Sequence, residues 1–166
     1  MRAPFDAAVT RHGPTVLRVC RAVLGPGPDA DDAWSETFLS ALRAWPDLPE
    51  DTNVEAWLVR VAHRRAVDVV RRHARAATPA GDADDLAVLS RWEPRVDDER
   101  DGAIWVAVAA LPARQRICVA YRYLGGLAYA EVAELAGGGE AAARRAAADG
   151  VAALRRAFID DERDRS

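Results

Sequence analysis

The sequence predicts an all-α protein of two small helical domains joined by an acidic linker. Apolar residues recur at three- and four-residue steps from Phe5 to Arg75. A Pro/Gly-punctuated, acid-rich stretch then breaks the pattern, and short helical patterns resume beyond it. No segment alternates with the period of a strand, and no internal repeat is visible. A chain of 166 residues, 50% hydrophobic and 30% charged, has the composition of one globular domain or two small ones.

Residues 5–24 read as a first helix, with Phe5, Ala8, Val9, Val16, Leu17, Val19 and Val23 apolar and Gly13-Pro14 expected to interrupt or kink it. Gly25-Pro26-Gly27-Pro28 is a stop, and Asp29 is expected to be the N-cap of the next helix. From Asp29 to Trp45 the positions Ala30, Trp34, Phe38, Ala41, Leu42 and Trp45 form an apolar face, closed by Pro46. A third helix is expected over Val54–Arg75, with Val54, Leu58, Val61, Ala62, Ala66 and Val69 on one side. Arg60, Arg64, Arg71 and Arg75 fall within an arc of roughly 60° on the other side, an arc that also contains Val67, while Arg65 lies among the apolar positions. Adding Arg65 and Arg72 gives six arginines against Glu55 and Asp68, a local balance of +4 in a chain of net charge −3.

Residues 77–100 read as an exposed acidic linker carrying Asp82, Asp84, Asp85, Glu93, Asp97, Asp98 and Glu99, with an apolar piece, Leu86 to Leu89 and Trp92, able to dock. Helical patterns follow over 101–160, broken at Leu111-Pro112, Gly125-Gly126 and Gly137-Gly138-Gly139, with a polar tail over 161–166. Leu127–Ala136, a glycine turn and a longer helix from Glu140 to Phe158 fit a helix-turn-helix, and equally a plain helical hairpin.

No catalytic constellation, metal site or cofactor motif is present. His12, His63 and His73 lack metal spacing, and there is no H-E-x-x-H, P-loop or G-x-S-x-G. Cys20 and Cys118 are too far apart in sequence for a zinc motif and give no disulfide framework; Cys118, beside Ile117 and Tyr121, reads as a buried structural thiol. With no membrane-span run and no secretory signal, the expected compartment is the reducing cytoplasm. All 23 basic side chains are arginine. The arginine stripe near Trp57 suits phosphates and unstacked bases, although a solvated helix face would look the same.

Several runs resemble a known family. Trp34-Ser-Glu-Thr-Phe38 within Asp29–Trp45 resembles the clamp-binding helix of extracytoplasmic-function sigma factors, and Ala56-Trp-Leu-Val-Arg-Val-Ala-His-Arg-Arg65 and on to Arg72 their promoter-melting helix. Leu111-Pro-Ala-Arg-Gln-Arg116, Tyr123-Leu-Gly-Gly-Leu-Ala-Tyr-Ala-Glu-Val-Ala-Glu-Leu135 and Leu154-Arg-Arg156 are similar to their C-terminal helix-turn-helix. The resemblance implies sigma region 2, a three- to four-helix module, at 1–76 and sigma region 4 at 101–160, with 77–100 between them. It implies core RNA polymerase (the β′ clamp and the β flap) and promoter DNA as partners, no membrane, and no enzymatic activity. An anti-sigma factor is a further partner that it raises.

Carried over by position, Asp32, Glu36, Leu39 and Arg43 face polymerase, and Trp57, Arg60, His63, Arg64, Arg71, Arg72 and Arg75 face opened DNA, with Arg144 and Arg145 on duplex DNA. The chain departs from the family at His63-Arg64, at Ala128 in place of a capping hydroxyl, and over Gly137–Gly150, where alanine dominates the recognition helix. Those departures leave open a sigma-derived interaction protein that has lost promoter reading and, less readily, a stand-alone repressor.

Overall fold

The computed structural model describes residues 1–75 and 84–165, the Arg75 side chain excepted. Its regular structure is helical, with no strand among the described residues. Helix α1 spans Phe5–Leu24 and runs without interruption through Pro14. Pro14 supplies no N–H to the Thr10 carbonyl, but buried Ala8, Val16, Val19 and Val23 hold the helix against its neighbours. Trp34 adds a clamp at this point, its Nε1–H donating to the Gly13 carbonyl at 2.9 Å. Tertiary packing overrides the expected break.

Helix α2, Pro28–Ala44, is capped two residues earlier than expected: Gly27 is its N-cap and Pro28 its first residue, so Asp29 lies inside the first turn. A short 3₁₀ turn, Trp45–Asp47, follows. Leu42, expected in the core, is 51% exposed beside Leu39 at 55%. Helix α3, Val54–Arg75, packs against both α1 and α2 to close the first module.

Residues 84–101 are more ordered than a linker. Helix α4, Asp85–Ser90, is capped by Asp84, whose Oδ1 accepts from the Ala87 N–H at 2.8 Å, and its Val88 and Leu89 are buried. Trp92 donates through Nε1 to the Leu24 carbonyl at 2.9 Å. The passage beyond it crosses Gly25 (φ 90°), where a Cβ would stand 2.9 Å from the Arg95 carbonyl oxygen. A single helical turn, α5, occupies Asp98–Asp101. Asp84, Glu93, Asp97, Asp98 and Glu99 are exposed, as expected of an acidic linker, and the apolar piece around Leu89 and Trp92 docks. The short helices are what the sequence did not predict, and Asp82 with the rest of 76–83 lies outside the described residues.

The second module comprises α6 (Ala103–Ala109), α7 (Ala113–Val119), a π turn (Ala120–Leu124), α8 (Tyr129–Ala136) and α9 (Glu140–Asp164). Helix α9 outruns its expected end at Phe158 and takes in most of the polar tail, where Arg165 and Asp161 pair at 2.8 Å one turn apart. Ala128 offers no side-chain cap, yet the Glu131 carboxylate still accepts from the Ala128 N–H at 2.9 Å, half of a capping box.

Gly150, a liability by helix propensity, is required by packing. It is buried on α9, and a Cβ there would lie 2.6 Å from Val119 Cγ2 and 3.4 Å from Gln115 Cβ on α7. Val119 is β-branched and stiff. Gly150→Ala is therefore expected to lose stability, an overpacking cost of about 1–3 kcal/mol exceeding a propensity gain of about 1 kcal/mol. A lowered urea midpoint is the readout; a raised one would show propensity in control.

The two modules are packed together rather than held on a tether. One continuous core includes Val16, Val23, Leu58 and Val59 from the first and Ile117, Tyr121, Leu127 and Val132 from the second.

Candidate nucleic-acid interface

Helix α3 is buried over far more of its circumference than one apolar face explains. Besides the expected stripe, Val59, His63, Val67 and Val70 are 0–4% exposed. At 100° per residue these four share one stripe of roughly 80°; α4 packs on α3, and Gly125 and Tyr121 of the second module meet it at Val59 and His63. This is why Val67 sits next to the arginines: the basic arc borders the stripe by which α3 meets the rest of the chain. Gly125 fits closely here, its Cβ position 3.1 Å from Val59 Cγ1.

His63 is at the centre of that contact, 1% exposed. Its Nε2 lies 2.9 Å from Asp85 Oδ2, and its Nδ1 is hydrogen-bonded with the hydroxyl of Tyr121, itself fully buried. An ionised carboxylate only accepts, so Nε2–H donates to Asp85 and the Tyr121 hydroxyl donates to Nδ1 of a neutral ring. Burial pushes the His63 pKa below its ordinary value and Arg64 adds to this, against the hydrogen bond and charge of Asp85. Burial likewise raises the Tyr121 phenol.

The arginines divide by their angle from this contact. Arg60 pairs with Glu134 at 2.9 Å and Glu131 at 3.4 Å, both on α8. Arg71 approaches Asp85 at 3.8 Å, and Arg72 pairs with Glu36 of α2 at 2.8 Å. Arg64, farther round the helix, is exposed and makes no ion pair among the described residues. Trp57 is half-buried, its ring 6.4 Å from that of Trp45. Thus Arg60, His63, Arg71 and Arg72 hold intramolecular partners in this arrangement, while Arg64 stands open.

The other expected positions lie apart. Asp32, Leu39 and Arg43 are exposed on α2 and share that surface with Leu42, which the sequence reading placed inside; Glu36 is turned to Arg72. Arg144 and Arg145 are exposed on the early turns of α9. Asp85 belongs to the acidic stretch already read from the sequence. Tyr121, Glu131 and Glu134 were missed as partners of the stripe, and no local signal marks them, since each meets α3 only through the fold. Both thiols are buried and pushed up, Cys20 to about 12, by burial first, the state of structural thiols.

Residues 8–76 match the family model for sigma-70 region 2, and residues 101–154 the model for sigma-70 region 4. The chain belongs to the extracytoplasmic-function sigma factors. It is 29% identical over 136 residues to the ECF RNA polymerase sigma factor SigM of Mycobacterium tuberculosis H37Rv, covering 82% of this chain and 67% of SigM. To the ECF RNA polymerase sigma factor BldN of Streptomyces coelicolor A3(2) it is 29% identical over 163 residues, 96% of this chain and 62% of BldN. A match to the uncharacterized protein R00370 of Rhizobium meliloti spans only 27% of that protein.

Two solved structures share the fold of this sigma factor. RpoE of Bartonella quintana, in complex with the anti-sigma factor NepR, superposes with a TM-score of 0.69 at 14% identity, covering 93% of this chain and 96% of that one. CnrH in complex with the cytosolic domain of CnrY gives 0.61 at 23% identity, covering 95% and 88%. Sigma factors are transcription initiation factors and not enzymes. No described helix is long and apolar enough to cross a membrane.

Proposed function

We propose that this sigma factor binds core RNA polymerase through the exposed α2 surface of Asp32, Leu39, Leu42 and Arg43, and that its α3 arginines then hold opened promoter DNA. The observation that carries the reading is the placement of Arg60, Arg64 and Arg71 on one arc of α3, in a chain of net charge −3. Phosphate contacts position the strand, and bases drawn from the stack are selected against aromatic and arginine surfaces such as Trp57. Arg72 works at the seam with Glu36, and Arg75 extends the arc in sequence. Arg144 and Arg145 engage the upstream duplex.

In the closed arrangement α8 and Asp85 occupy the near edge of the stripe, so full engagement of DNA requires the modules to part. Polymerase supplies the surface that separates them. An anti-sigma factor, the class of protein bound to RpoE in the Bartonella structure, would act on this chain by holding it shut. All of this takes place in the cytoplasm.

Co-purification with core polymerase at low salt, followed by run-off transcription from genomic fragments, tests the reading. Association with transcripts supports it, and no association refutes it. The exposed alanines of α9 favour one second reading, a sigma-derived regulator without promoter selection, which gives association without transcripts. For the stripe itself, Arg64→Ala is expected to weaken single-strand binding and reduce the salt slope by about 0.7, since this cation has no ion-pair partner to release among the described residues. An unchanged slope would remove Arg64 from the interface.

A further inference from the structure

The reading face of α9 is chemically sparse. Its exposed early positions are Glu140, Ala141, Ala142, Arg144, Arg145, Ala148 and Asp149. Alanine methyls can touch a thymine methyl but donate nothing, and the carboxylates face phosphates of their own sign. Selection of a base edge therefore falls on the two arginines. A mobile exposed arginine is a poor reader, because holding its long side chain in one geometry costs entropy.

Arg144 is not left mobile. Its Cζ lies 4.3 Å from the centroid of the Tyr129 ring, and its Nη2 donates to Glu140 Oε1 at 3.1 Å. The same ring carries a second cation: Arg122 Cζ is 4.6 Å from the centroid, and Arg122 Nη1 donates to the Leu127 carbonyl at 3.0 Å. Tyr123 nearby is exposed. Two guanidiniums thus meet one aromatic ring, with Glu140 bonded to one of them, a concentration of positive charge at the start of the reading helix. A guanidinium fork with its plane fixed matches the paired O6 and N7 acceptors of guanine.

We propose that Tyr129 is a positioning residue that presents Arg144 to one guanine edge in the major groove and brings Arg122 onto the same duplex as a phosphate contact. This rests on the reading of the chain as a promoter-binding sigma factor. It adds Tyr129 and Arg122 to the recognition surface and makes a single guanine its main determinant.

The test uses the full chain assembled with core polymerase. Random-sequence duplexes are selected for binding, and the preferred upstream guanine is replaced by 7-deazaguanine, which lacks N7. The wild type is expected to bind the modified duplex about tenfold more weakly. Tyr129→Phe keeps the ring and the discrimination. Tyr129→Leu keeps bulk without the ring's charge distribution and is expected to reduce discrimination to about threefold. Arg122→Ala lowers affinity for both duplexes equally. Helix content by circular dichroism and association with polymerase confirm that each variant is folded. Selection without a preferred guanine, or full discrimination in Tyr129→Leu, would overturn the proposal while leaving the sigma-factor reading intact if transcripts are still made. Failure of the wild type to bind polymerase would overturn both.

Discussion

Exchanging Glu131 and Glu134 for Gln is expected to raise the affinity of the polymerase-free chain for single-stranded DNA by about an order of magnitude. These two carboxylates hold Arg60 from α8, at 3.4 and 2.9 Å, and Arg60 is only 32% exposed. An exposed pair contributes about 0.2–1 kcal/mol, and a partly buried cation shared by two carboxylates lies at or above the top of that range. When the binding-competent state is a minor one, apparent affinity scales with its population, so about 1.4 kcal/mol lost from the closed form reads as tenfold. Glutamine still accepts from the Ala128 N–H, so the start of α8 is preserved. Electrophoretic mobility shifts at several salt concentrations check this: the gap between variant and wild type should narrow as salt screens the pair. Equal affinities at low salt would show that α8 does not restrain the stripe.

Acidification is expected to open the chain, and His63→Gln to abolish that response. The closed form holds His63 neutral, with burial lowering its pKa, while the parted modules return the ring to water and its ordinary value of 6.5. The open form thus binds the proton better. The contribution of His63 to closure is complete above pH 6.5 and falls as the pH drops from there toward the depressed closed-state value, by up to about 1.4 kcal/mol per pH unit. The charged and titratable groups facing the ring are Asp85 and Arg71 at the α4 edge, Arg64 on α3 and Tyr121 from the second module. His12 and His73 pair with Glu55 and Asp29 inside the first module, away from this contact. Fluorescence transfer between the modules, followed from pH 7.5 to 5, gives the readout. A pH-independent distance in the wild type, or the same slope in His63→Gln, would take His63 out of the latch.

Much of the fold was legible because its signals are local. The apolar spacing of α2 and α3, the Pro/Gly stop at 25–28 and the glycine turn at 137–139 each act within a few residues. Where expectation and structure part, a distant partner decides. Pro14 stays helical because Trp34 and the core hold α1; Gly150 is needed because Val119 occupies the space of its Cβ. The second apolar stripe of α3 was visible only as an anomaly, Val67 among the arginines, since Val59, His63 and Val70 acquire meaning when the second module covers them. The cations of the candidate site could be read from the sequence. Their partners Glu131 and Glu134 could not, because an ion pair across modules leaves no periodic trace.

The central claim is that α3 serves DNA only after the second module leaves it. Dyes on Arg11→Cys in α1 and Arg156→Cys in α9, both at exposed positions, report the separation of the modules while core polymerase and promoter DNA are added. Energy transfer is expected to fall on assembly, in the same complexes that go on to produce transcripts. Transfer that stays at the value of the isolated chain in transcribing complexes would contradict it.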